Sequence, residues 1–149
     1  MSYLVATTLD TEVEQEFNLL NEIRYPVRSI AFWLYLSQVS PGSVLTAQLK
    51  DSDDNIIISE AIPIAGILSQ LEATDDYSHG KYQWTPPSNL ILKRGAYTLS
   101  LEQTTGYTSG TYIAWCKDWE SEYIPVNGVV TSDSDDPYYL RLCTYKDRI

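Results

Sequence analysis

Residues 89–103 read NLILKRGAYTLSLEQ, and their alternation rules out most folds. Tyr97, Leu99 and Leu101 are separated one by one by Thr98, Ser100 and Glu102. Successive side chains of a strand point to opposite faces, so this pattern gives a sheet one apolar face and one wet face. Leu90 and Leu92 alternate in the same way upstream. Lys93-Arg94-Gly95 interrupts the run, with Gly95 supplying backbone freedom for a turn. The segment therefore predicts two strands, the second central to a sheet.

The rest of the chain repeats the theme. Near the start, Val13, Gln15 and Phe17 alternate with Glu12, Glu14 and Glu16. Glutamate also favours helices, but the alternation points to a strand whose glutamate face is wet, or to an extended arm. Residues 29–37, SIAFWLYLS, put Ile30, Phe32, Leu34 and Leu36 on one face and Ala31, Trp33 and Tyr35 on the other. A strand apolar on both sides is either covered twice or exposes an aromatic patch. Residues 44–50 and 55–58 read as strands flanking the turn 51–55. With 29–37 they suggest a meander joined by polar turns, the first being Ser40-Pro41-Gly42. Residues 64–71 suggest one short helical turn, and 74–80 a polar loop. Residues 81–85, with Tyr82 and Trp84, read as a short strand stopped by Pro86-Pro87. Residues 104–110 form a loop tip, and 111–117 a strand facing Ile113 and Trp115 one way. Residues 118–129 are irregular, 131–136 an acidic loop, and 138–145 a last strand with Leu140 and Leu142 on one face. Eight or nine strands with almost no helix predict an all-β antiparallel sandwich. The expected layout is an extended N-terminal arm or edge strand over 1–20 and one sandwich domain over 21–149.

Composition sets limits on partners. The 149 residues hold 20 acidic against 10 basic side chains, a formal net charge of −10. Nucleic-acid phosphates and anionic membranes repel such a surface, and no basic stripe offsets it. No apolar run approaches the roughly 18 residues of a membrane span, and the first residues lack the pattern of a signal peptide. Synthesis in the cytoplasm is the expectation, with Cys116 and Cys143 as reduced, buried thiols. Twelve Tyr and four Trp stand against two Phe. Such rings suit strands, and their polar tips suit contact surfaces.

Several local patterns follow one another in a recognisable order. The strand 29–37 is followed by Leu92, Gly95, Tyr97, Leu99 and Leu101 in a Leu-x-x-Gly-x-Tyr-x-Leu-x-Leu run. Then come Ile113-Ala114-Trp115, Tyr123, Gly128, and Asp136-Pro137 leading into the final strand. Over residues 25–146 this order resembles jelly-roll sandwiches similar to carbohydrate-binding modules, which are frequent in bacteriophage virion proteins and secreted bacterial proteins. With no export signal, the resemblance implies a virion accessory protein: a capsid decoration, a cement protein or a tail-associated subunit. It would be made in the host cytoplasm and act without catalysis, by contact with other virion proteins and as a homo-oligomer. The alternative it implies is a carbohydrate-binding module or receptor-binding domain that takes a glycan.

Candidate residues follow from side-chain chemistry. His79, the sole histidine, has no partner pattern for a catalytic triad or a histidine metal site, and YSHG reads as surface loop. Cys116 lacks an activating motif. Calcium is the one ion for which the loops offer hard oxygens, from Asp51 and Asp53 in one and Asp133, Asp135 and Asp136 in the other. Asp, Asn and Ser also build ordinary turns, and the first loop lacks the Gly and distal Glu of an EF-hand, so both readings stand. Trp33, Tyr35, Tyr107, Trp119 and Tyr123 are the candidate contact residues, for assembly or for a glycan. Trp84 and Trp115 are candidates either for the core or for a sugar platform.

Overall fold

A computed structural model describes residues 6–19, 25–73, 77–86, 90–116, 129–131, 138 and 140–144. Eleven strands and one short helix lie among them: β1 (Ala6–Thr8), β2 (Val13–Leu19), β3 (Val27–Ser37), β4 (Val44–Asp51), β5 (Ile56–Pro63), α1 (Ile64–Leu68), β6 (Glu72–Ala73), β7 (Tyr77–Trp84), β8 (Gly95–Thr105), β9 (Tyr112–Cys116), β10 (Val129–Thr131) and β11 (Leu140–Thr144). They form two antiparallel sheets packed face to face, an all-β sandwich. The first sheet runs β1-β9-β3-β7-β6, with β11 also paired to β3; the second runs β10-β2-β8-β4-β5. The chain changes sheet at nearly every connection, and β4–β5 is a hairpin within one sheet.

Alternation places the core. Ile30, Phe32, Leu34 and Leu36 of β3 are buried against Leu45, Ala47 and Leu49 of β4 and Tyr97, Leu99 and Leu101 of β8, in one cluster with Trp84 and Trp115. β8 is central, hydrogen-bonded to β2 on one side and β4 on the other. The tryptophans at 84 and 115 are therefore core and not sugar platforms. Trp84 donates its indole N–H to Glu60 Oε1 at 2.7 Å, which satisfies the one polar atom its burial would otherwise orphan.

Three readings of the sequence change. Residues 29–37, 44–50 and 55–58 do not form a meander, because β3 lies in the opposite sheet from β4 and β5. The turn at 40–43 carries the chain across the sandwich, closed by Ser43 N–H to Ser40 O at 3.0 Å. Residues 90–92 are not a ladder strand. Leu90 and Leu92 are buried and Ile91 is 56% exposed, so the alternation is that of an extended crossover. Its bond to the sheets is Val27 N–H to Leu90 O at 2.7 Å. Residues 77–80, read as loop, belong to β7, which pairs with β3 from Ser37↔Tyr77 to Ile30↔Trp84.

The N-terminal stretch is extended and hydrogen-bonded into both sheets, so residues 6–19 are no projecting arm. β1 is the edge strand beside β9, and β2 lies between β10 and β8 with Phe17 and Leu19 buried. Between them Leu9 stitches the layers: its N–H donates to Ile113 O of β9, and its carbonyl accepts from Gln103 N–H of β8. The buried Gln15 side chain accepts Tyr138 N–H at 2.9 Å, and Tyr138 donates its hydroxyl to Thr7 Oγ1 at 2.8 Å. No helix among the described residues is long and apolar enough to cross a membrane.

Candidate functional site

The second set of side chains on β3 decides the site. With the even-numbered residues in the core, pleating turns Ala31, Trp33, Tyr35 and Ser37 to the outer face of the first sheet. Register brings Tyr77, His79, Lys81 and Gln83 of β7 to that face on one side. Tyr112, Ala114 and Cys116 of β9 join it on the other. Tyr35 is sandwiched: its ring centroid is 4.9 Å from Tyr77 at 22° between planes, and 6.2 Å from Tyr112 at 28°. His79 extends the row, 5.7 Å from Tyr77. Adjacent strands lie about 4.8 Å apart, so rings on neighbouring strands meet at stacking distance. Each such pair adds about 0.5–1.5 kcal/mol beyond its buried area. Rings stacked along the sheet turn their faces toward one another.

Trp33 and Tyr35 are thus brought together on one face, both half-buried. Tyr77, His79 and Tyr112 complete the row and were missing from the sequence reading. The signal was there: Tyr77, His79, Lys81 and Gln83 alternate against the buried Tyr82 and Trp84, but Gly80 gives that alternation no side chain. His79 is a strand residue, not a surface-loop one, and its Nδ1 is buried without a hydrogen-bond partner among the described residues. Tyr107 lies apart in sequence on an exposed loop, closed by the Thr108–Thr111 bridge. Trp119 and Tyr123 lie outside the described residues. Cys116 is a free, buried thiol, and burial pushes it up to about 12, which leaves it an inert packing group.

The opposite face is ionic. Glu14 and Glu16 of β2 and Glu102 of β8 point outward with Lys50 of β4. Lys50 Nζ lies 3.2 Å from Glu12 Oε2 and 3.3 Å from Glu14 Oε2. Ser100 donates its hydroxyl to the same Glu12 oxygen at 2.6 Å. That hydroxyl, with help from Lys50, outweighs desolvation and holds the Glu12 carboxyl below its ordinary value. For Lys50, desolvation works downward, but the hydrogen bonds and charges of Glu12 and Glu14 leave the ammonium above its ordinary value. Beside this network a groove of about 340 Å³ is lined by Glu14, Glu16, Asn18, Asp54, Ala96 and Thr98 among others.

The first candidate calcium loop is a turn held by its own aspartate. Asp51 Oδ1 accepts the N–H groups of Asp53 and Asn55, each at 2.9 Å, and these bonds lower the Asp51 carboxyl. Asp53 is exposed. Among the described residues no three His, Cys, Asp or Glu side chains gather as a metal site. Asp133, Asp135 and Asp136 lie outside the described residues.

Comparison with known proteins yields no matching family model and no matching curated protein.

Proposed function

We propose that the protein is a non-enzymatic structural subunit of a bacteriophage virion, a capsid decoration, cement or tail-associated protein. It attaches through the outer face of its first sheet. The observation that carries this reading is the cross-strand row Tyr77–Tyr35–Tyr112. Ring-on-ring stacking fixes these side chains in advance, so little side-chain entropy is lost on docking. Tyrosine and tryptophan are the residues that dominate protein contacts. Mutually stacked rings favour a protein over a glycan, because a sugar stacks on a ring face, and here ring faces meet one another. Mass spectrometry of virions from the phage that encodes the chain tests the assignment. A stable, stoichiometric presence supports it, and absence from purified particles ends it. Replacing Tyr35 and Tyr112 together by Ser should strip the protein from particles while the sandwich stays folded.

The glycan reading keeps one observation, the 39% exposed Tyr107 on the loop after β8. Titration against a glycan panel checks it. Saturable binding lost in Tyr107→Ala would favour a receptor-binding role.

A further inference from the structure

The outermost strand of a sheet carries unpaired N–H and C=O groups that accept another strand, and proteins keep such edges short or blocked. Among the described residues, β1 and β10 end their sheets with three residues each, and β6 with two. The long edges are β5 and the part of β7 that β6 leaves uncovered. β6 pairs only with Ser78 and His79, so Gly80 to Trp84 lie beyond its ladder. On β5 the inward Glu60 carboxylate works against an added strand.

On β7 the chain just before β6 uses a side chain. Gln70 Oε1 accepts the Gln83 N–H at 2.9 Å, and Gln70 Nε2 donates to the Gln83 carbonyl at 3.4 Å. A carboxamide carries the C=O and N–H of a peptide group. Gln70 therefore does for Gln83 what a residue of a neighbouring antiparallel strand does. The turn that ends α1 sets it in place: Gln70 N–H donates to Ile67 O at 3.0 Å, and Leu71 N–H to Leu68 O at 3.2 Å. Gln70 and Gln83 are both exposed, so burial does not drive the pairing.

We propose that Gln70 is an autoinhibitory contact, one that holds the β7 edge shut against the same edge of a second copy. Outward backbone groups alternate along an antiparallel strand, so those of Lys81 face the same way as those of Gln83. About a two-fold axis, Lys81 of each copy faces Gln83 of the other, with about four backbone hydrogen bonds between them. The occupant is a second copy because an antiparallel edge is complementary to itself about such an axis. While the Gln70 carboxamide holds both backbone groups of Gln83, that pairing is blocked.

Sedimentation velocity on the full chain, with amide hydrogen exchange at Gln83 read by NMR, tests this. Gln70→Ala opens the edge. Its self-association constant should exceed that of the wild type by about tenfold or more. In dilute solution its Gln83 amide should exchange about tenfold faster than in the wild type, and at high concentration it should be protected again. Gln70→Glu keeps an acceptor for the Gln83 N–H and adds a charge that repels a second copy, so it should associate no more than the wild type. Unchanged association in Gln70→Ala overturns the proposal. So does association that leaves the Gln83 amide unprotected, or that is as strong in Gln70→Glu. A Gln70→Ala chain that loses its fold by circular dichroism overturns it too, since Gln70 is then a support of the fold and not a guard of its edge.

Discussion

Tyr97 shows how much one side chain holds. Its ring is buried, stacked 5.8 Å from Phe17, and its hydroxyl donates to Lys93 O at 2.8 Å, four residues upstream. The arrangement resembles the tyrosine corner of Greek-key sandwiches, where a tyrosine pins the incoming crossover. Tyr97→Phe keeps the ring and removes that bond, so chemical denaturation should show a loss of about 1 kcal/mol. Gly106 is less forgiving. Its φ is +88, and a Cβ there would lie 2.6 Å from Ser43 Oγ and 3.1 Å from Ser43 Cα. Gly106→Ala combines backbone strain with a clash against the turn at 40–43 and should cost about 2 kcal/mol or more, read as a lower melting temperature. Glu12 gives a pH signature. Its carboxyl is lowered in the folded state, so its contribution is complete above the ordinary value of 4.5 and is lost as pH falls through the lower folded value. Glu12→Gln should flatten the stability profile in that acidic window, measured by denaturant titration at successive pH values.

At the scale of the element, β3 and β7 mark what the sequence revealed and what it hid. In β3 the two apolar faces were legible, but alternation left open whether the face of Ala31, Trp33 and Tyr35 is covered or exposed; the structure leaves Trp33 and Tyr35 half-buried. The alternation in β8 was equally plain, and its central place followed. β7 was hidden because Tyr-Ser-His-Gly has the composition of a turn. The pairing that makes it a strand comes from β3, some forty residues away in sequence. The crossover at 90–92 misled for the opposite reason: burial alone imposes alternation on an extended chain, ladder or not. The candidate site was half legible, in Trp33 and Tyr35; the register that adds Tyr77 and Tyr112 is tertiary. The edge strand β5 has a device of its own. Glu60 faces the sheet interior at its rim and holds the Trp84 indole. An inward carboxylate on an edge discourages added strands. Glu60→Ala should cost about 1–3 kcal/mol by orphaning a buried donor, and should raise light scattering at high concentration.

For the whole molecule, the order of strands matters more than any one of them. β1 pairs with β9, β2 with β8 and β10, and β3 with β7, β9 and β11. Nearly every ladder joins distant parts of the chain, and non-local pairing of this kind places refolding in the range of milliseconds to seconds. Stopped-flow tryptophan fluorescence should find its main phase there, because Trp84 and Trp115 become buried only when the sheets meet. One consequence concerns the nascent chain. A ribosome delivers β2 early, yet its neighbour β8 is complete only once residue 105 has emerged. Until then β2 lacks the ladder that fixes it in its sheet, and that interval of synthesis is when the chain is most open to chaperones or to aggregation.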